Sequence, residues 1–484
     1  MKKYTKEEFN EKELDILRHA VDRAEERAGK RIANSPEIIT IIKIVEDFIK
    51  YKKLICYGGT AINNILPQQD QFYNKNIEIP DYDFFSPNAL QHAKELADIY
   101  YSKGYSEVEA KAGVHTGTYK VYVNFIPVAD ITFLEDKLFK AISMESIYVN
   151  GIMYAPPNFL RMSMYLELSR PEGDVSRWEK VLKRLILLNK HYPLKGYNCE
   201  PKDFARKFEN DTKEDSDKLY YIIRNSFIDQ GLVFFGSYAI SLYSKYMGKK
   251  EDNFLKKYPD FDILSEDPAR SAQITKERLK GNGVNNVTIL KKSGFGEIIA
   301  PHYEIVVDND TVAFIYKPLA CHSYNNIKIK GRNIKVATID TILSFYLAFY
   351  YSNRPYYDKN RLLCMAQYLF NVQARNRLEQ KGLLKRFSIN CYGKQETMET
   401  IRAEKTERFQ ELKNKRGTEE YDRYFLRYIP SEKDKKESKD KKAKQTKKNN
   451  KRRTQKKGKK QQKTKKQQKT KNKSGKFFGY KLRL

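Results

Sequence analysis

One pattern occurs twice in this chain, and the duplication restricts its fold more than any other feature. Residues 57–66 read YGGTAINNIL and lead, about twenty residues on, to IPDYDFFS; residues 235–243 read FGSYAISLY and lead over a similar interval to PDFDILS. A third element follows each copy, VADI at residues 128–131 and VAFI at residues 312–315. In both, an apolar run reads as a short buried strand, glycine turns the chain, and a short helix follows. The next strand carries paired aspartates. Period-two alternation puts Asp81 and Asp83 on one face and Tyr82 and Phe84 on the other. The expected class is α+β, with two tandem copies of one sheet unit and flanking helices.

The chemistry is concentrated in the first copy. Two carboxylates on one strand face repel unless a cation lies between them, and hard oxygen ligands suit Mg²⁺ or Mn²⁺. Asp130 stands in an apolar strand, where an ionised carboxylate is costly unless paired or metal-bound. Gly58 and Gly59 let backbone N–H groups approach an anion at a helix start, and Thr60 adds a hydroxyl. Asp81, Asp83 and Asp130 therefore form a candidate metal platform beside a candidate phosphate cradle at Gly58, Gly59 and Thr60. In the second copy Phe314 replaces the third aspartate, and the glycine pair becomes Gly236-Ser237. Phe314 cannot bind a metal, so this copy reads as a degenerate scaffold or RNA surface, with Asp260 and Asp262 held by hydrogen bonds.

The order Gly-Gly-Thr, Asp-x-Asp, third-strand Asp resembles the polymerase-β-like nucleotidyltransferase superfamily. The stretches YGGTAINNILP, IPDYDFFSPNA, VADITF and ELSRPEGDVSRWEKVLKRLILLNKHYP are closer to the poly(A) polymerase catalytic subunits of giant DNA viruses, with poxvirus enzymes more distant. The likeness runs over roughly residues 50–430. It implies two tandem polymerase-β palm-like folds, the second degenerate. It also implies template-independent transfer of AMP from ATP to an RNA 3′ end, with ATP as substrate and Mg²⁺ or Mn²⁺ as cofactor. Asp81 and Asp83 would bridge two ions, and Asp130 would hold the ion at the primer hydroxyl. The helix expected over residues 176–191 would border the nucleotide, bringing one or two of Lys180, Lys183, Arg184 and Lys190 to the triphosphate; Lys183 is the candidate. A solvated helix face is the alternative for each. A homodimer, a processivity or capping partner, and a place in the host cytoplasm or the virion are implied by resemblance only. The triad does not choose the nucleotide. Uridylyl transfer, CCA addition and a non-enzymatic RNA-binding protein on the same scaffold are the alternatives.

Charge agrees with a polyanionic partner. Residues 432–484 hold 25 Lys/Arg against 4 Asp/Glu, so +21 of the formal +31 lies there and +10 stays with residues 1–431. That tail lacks the apolar residues to form a core and is expected to be disordered, with either RNA attraction or nuclear targeting as its use and Phe477–Tyr480 as a docking segment or a sticky end. No apolar run approaches a membrane span, and no membrane contact is expected. Five scattered cysteines without CxxC spacing read as reduced thiols. His115 reads as a surface turn residue. The boundaries expected are 1–52 (N-terminal helices), 53–155 (catalytic unit), 156–225 (helical connector), 226–337 (second unit), 338–430 (C-terminal helices, with aromatics packed in a core) and 431–484 (tail). The N-terminal helices are expected to pack on the catalytic sheet.

Overall fold

The computed structural model describes residues 5–74, 76–199, 213–247 and 260–431. The readings made for residues 432–484, including the disordered tail and its closing aromatics, lie outside the described residues. Seven strands build the first sheet: β1 (Ile55–Cys56), β2 (Tyr82–Ser86), β3 (Val108–Ala112), β4 (Thr118–Val123), β5 (Ile126–Phe133), β6 (Ile147–Val149) and β7 (Ile152–Tyr154). Seven more build the second: β8 (Val233–Phe235), β9 (Phe261–Leu264), β10 (Val287–Lys292), β11 (His302–Val307), β12 (Asp310–Tyr316), β13 (His322–Ile329) and β14 (Arg332–Ala337).

The sheets share one topology. Their orders are β3-β4-β5-β2-β1-β7-β6 and β10-β11-β12-β9-β8-β14-β13. In both, the strand before the glycine turn runs antiparallel to the aspartate strand, which runs parallel to the third-element strand. Register confirms the repeat alignment: Asp130 lies opposite Asp83, and Phe314 lies opposite Asp262. The C-terminal region, which its sequence pattern suggests is helical, is not purely so. It gives β15 (Cys391–Tyr392), which extends the second sheet beside β13, and β16 (Arg427–Tyr428), which extends the first beside β3.

Helices complete the layers. Ser35 caps Pro36–Lys52, accepting a hydrogen bond from the Ile38 N–H, and Ile38, Ile41, Val45 and Phe48 bury one stripe. The helix Lys6–Ala33 departs from expectation: it buries no residue, and Leu14, Leu17 and Val21 are exposed. Leu14, Leu17 and Val21 do follow helical spacing, yet the stripe they make stays exposed. The connector Pro157–Leu168 packs on Ile339–Ser352 and joins the halves, with Phe159 edge-on to Tyr351 at 5.5 Å. Phe345, Tyr346, Phe349 and Tyr351 are buried, so that aromatic run is core. Two cysteine pairs correct the reduced-thiol reading. Cys199 bonds Cys364 and Cys321 bonds Cys391, across 165 and 70 residues, while Cys56 stays free and buried. Partners that distant leave no local spacing to read. Among the described residues, no helix is long and apolar enough to cross a membrane.

Candidate active site

The site forms where β1 ends against the start of β2. Tyr57 N–H donates to the Asp83 carbonyl at 2.9 Å, fixing the strands at the point where the chain turns. Gly58 adopts φ +72°, and a Cβ there would lie 2.6 Å from Asp83 Oδ2. The helix Gly58–Ile65 thus starts against the Asp83 carboxylate, and only glycine fits both the dihedral and the contact. A Cβ on Gly59 would meet Tyr73 Oη at 2.5 Å and an Arg184 guanidinium nitrogen at 2.9 Å. Both glycines therefore leave room for a ligand or side chain to approach the helix start. Thr60 is not directed at that opening. Its hydroxyl donates to the Asp81 carbonyl at 2.7 Å and ties the helix to the segment that carries the acidic pair.

Across the sheet, Asp83 on β2 and Asp130 on β5 are directly opposed, so their side chains share a face. Asp81 lies one residue before β2, at the same end. The electrostatics show the crowding. The Asp83 carboxyl is pushed up to about 7 by burial, then by the charges of Asp81 and Asp130, against the pull of Lys120 and Arg177. Asp81 is raised too, by partial burial and by Asp130, with Lys120 opposing. Asp130 Oδ2 is paired with Lys120 Nζ. Burial lowers the affinity of Lys120 for its proton, but the hydrogen bond to Asp130 and the charges of Asp130 and Asp81 together outweigh it, so the ammonium is favoured. Asp130 Oδ1 is buried without a hydrogen-bond partner. A buried orphan oxygen on Asp130, beside two carboxyls whose affinity for a proton the Asp130 charge raises, fits a divalent cation. The three carboxylates do not themselves converge. Among the described residues, the group of three His, Cys, Asp or Glu ligand atoms within 4.8 Å of one another is Glu172–Cys321–Cys391, whose sulfurs are bonded together.

The connector helix Trp178–His191 closes the side of the site with a different cation from the candidate. Lys183 is exposed and paired with Glu179 at 2.6 Å. Arg184 points inward, donating to Tyr73 Oη at 2.6 Å and packing on the Phe72 ring. One residue on a helix turns the side chain by about 100°, so a basic cluster alone does not tell which member faces the site. Lys190 and His191 both reach Asp70 and anchor the same helix. A cavity of about 290 Å³ opens beside Asp81, lined by Glu46, Thr60, Asn63, Asn64, Tyr73 and Tyr82 among others. Sequence reasoning did not single out Lys120. Its signal was present: it lies inward of a tight hairpin on the half-exposed face of TYKVYV, in register with Asp130. His115 is exposed in the turn between β3 and β4.

The second copy keeps the frame and loses the ligand set. Gly236 adopts φ +84°, and a Cβ on it would lie 2.2 Å from Asp262 Oδ2, as at Gly58 and Asp83. Ser237 Oγ donates to Asp260 at 2.9 Å, and Arg361 pairs with the same carboxylate at 3.1 Å. Phe314 is buried and stacks on Tyr356. Glu304 takes the position opposite Phe314 that Lys120 takes opposite Asp130. A guanidinium on a buried carboxylate supplies positive charge here, so the lost aspartate leaves a stable arrangement.

Comparison with known proteins points one way. Residues 43–174, which hold the glycine turn and all three aspartates, match the family model described as poly(A) polymerase catalytic subunit. A protein of African swine fever virus (strain Badajoz 1971 Vero-adapted), named as a candidate poly(A) polymerase catalytic subunit, is 36% identical over 173 residues, 34% of this chain and 36% of that protein. One from Acanthamoeba polyphaga mimivirus, named the same way, is 34% identical over 202 residues, 40% of this chain and 34% of that protein. The aligned stretch thus spans about a third of the length of these relatives. The crystal structure of the Megavirus polyadenylate synthase shares the fold over 89% of this chain and 88% of its own, at TM-score 0.73 and 22% identity.

Proposed function

We propose that this chain, which matches the poly(A) polymerase catalytic subunit family over residues 43–174, is a template-independent polynucleotide adenylyltransferase. It transfers AMP from ATP to an RNA 3′ hydroxyl and releases pyrophosphate. The observation that carries the reading is the first-sheet face on which Asp83 opposes Asp130 beside the Gly58–Gly59 helix start.

Asp81, Asp83 and Asp130 would hold the divalent cations. Those ions, Mg²⁺ or Mn²⁺, supply charge stabilisation at the transferring phosphoryl group and lower the pKa of the attacking hydroxyl. The chain's own residues do the rest. The Gly58–Gly59 backbone receives the phosphates at a helix N-terminus. Arg184, held by Tyr73, presents a guanidinium beside Gly59 and supplies the bidentate donor that a triphosphate oxygen pair accepts. Thr60 fixes the geometry through Asp81 rather than touching phosphate. Lys120 keeps Asp130 oriented. The choice of ATP rests on the named relatives, because a metal-binding palm accepts any triphosphate. Homodimerisation, an accessory partner and action in the host cytoplasm or virion belong to the same proposal and rest on resemblance.

The test is extension of a 5′-labelled RNA with each nucleoside triphosphate supplied separately. A ladder with ATP alone supports the reading. Extension with UTP or CTP instead keeps the chemistry and overturns the substrate. RNA binding without turnover favours the non-enzymatic alternative.

A further inference from the structure

The acidic pair is the start of a longer row. Asp83 on β2 opposes Asp130 on β5, and Asp130 opposes Lys120 on β4. Lys120 opposes Lys111 on β3, and Lys111 opposes Arg427 on β16. Directly opposed residues project from the same sheet face. One line perpendicular to the strands therefore carries two carboxylates and then three cations. The buried alternation agrees: Tyr119 and Val121 flank Lys120, and Val108 and Ala110 lie on the core side with them, so the row is on the open face. Tyr428 points the other way, donating to Asp98 in the helix Ala89–Ser102, which leaves Arg427 facing outward.

Like charges in direct opposition destabilise a sheet, and the cationic part of this row has two such pairs in succession. Glu109 offsets only part of the charge. It lies 3.7 Å from Lys111 and 3.2 Å from Arg427, so one carboxylate serves two cations. Lys111 and Arg427 are 43% and 74% exposed, open to a ligand. With strands about 4.8 Å apart, the row from Asp130 to Arg427 spans roughly 14 Å. Tyr122 lies on the same face beneath Lys111, whose Nζ is 4.1 Å from the ring centre, giving the aromatic element that single-strand tracks combine with cations.

We propose that Lys111 and Arg427 form a phosphate track that holds the nucleotides behind the 3′ end of a single-stranded RNA across the open face of the first sheet. The inference rests on the adenylyltransferase reading for the direction of the strand, whose 3′ end must lie at Asp130. It assigns a function to β16: the returning C-terminal segment completes the primer surface of a sheet laid down some 300 residues earlier.

Two measurements on the full chain test it. The first is the Michaelis constant for a labelled oligoadenylate primer in the wild type and in Lys111→Ala/Arg427→Ala. The double variant is expected to raise primer KM roughly tenfold while KM for ATP holds. The second is fluorescence anisotropy of the same RNA without ATP across a salt series. Losing two phosphate contacts is expected to reduce the slope of log K against log salt by about 1.4. Lys111→Arg/Arg427→Lys should keep wild-type values, which separates lost charge from a disturbed sheet, and Glu109→Gln should tighten binding. Unchanged primer KM and unchanged slope in the alanine variant would overturn the track. If the wild type extends no RNA with any nucleotide, the adenylyltransferase reading fails, and the salt slope still decides whether this face binds RNA.

Discussion

Replacing Asp83 by Asn should stabilise the metal-free protein at high pH while abolishing its activity. The Asp83 carboxyl is raised from its ordinary 3.8 to about 7, by burial first and by Asp81 and Asp130 next. In the folded state this group is easy to keep neutral and hard to ionise. Its contribution to stability is therefore fully present below 3.8 and is lost as pH rises through 7. At pH 8 the ionised carboxylate in the fold costs about 4 kcal/mol relative to the unfolded chain; at pH 5 the folded group is still protonated, and keeping that proton costs about 2 kcal/mol. Asparagine has the same shape and carries none of that cost. Chemical denaturation in the presence of a chelator should place Asp83→Asn above the wild type by up to that amount at pH 8, with the gap closing toward pH 4. Adding Mg²⁺ should narrow the gap at pH 8, because the cation offsets the repulsion in the wild type alone. An Asn variant less stable than the wild type in chelator at pH 8, or a gap independent of pH, would refute the view of this cluster as mutually repelling carboxylates built for a cation.

Three further outcomes follow from the same geometry. Gly58→Ala should cut RNA extension by roughly 100-fold, because its Cβ would displace Asp83 from the ligand position, with a stability loss of only about 1–2 kcal/mol from the left-handed dihedral; steady-state rates beside a melting curve check both parts. Arg184→Ala should raise KM for ATP roughly tenfold, whereas Lys183→Ala, which breaks an exposed helix pair, should leave ATP kinetics as they are. Arg361→Met takes a guanidinium from the buried Asp260 and should cost about 3 kcal/mol in denaturant unfolding, with kcat per folded molecule unchanged.

Much of this was legible in the chain because the duplication made each copy a control on the other. The alignment of Asp130 with Phe314 marked the first copy as the one with three aspartates, and strand register bears that alignment out. What the sequence hid is mostly long-range. β16 is two residues long, and its partner β3 is over 300 residues away, so nothing local marks Arg427 as a neighbour of Lys111. Lys120 needed the hairpin register, which turns on Asn124 and Phe125 in left-handed conformations: Asn favours that region, but Phe125 gives no sign of it. The choice between Lys183 and Arg184 needed the rotation of one helix about its axis. The cysteine pairs needed the fold itself. The helix Lys6–Ala33 was placed by pattern but not its packing, since propensity and a capping box suffice to form it without a partner surface.

The central claim is that catalysis belongs to the first sheet and that the second is its inactive duplicate. It is tested most directly by single-turnover RNA extension with ATP in Asp83→Ala and Asp262→Ala, two variants at matching positions of the two repeats. The account predicts loss of several orders of magnitude in the first and a rate within a few-fold of the wild type in the second, for protein that folds in each case. Extension that survives in Asp83→Ala, or that vanishes in a folded Asp262→Ala, would contradict it.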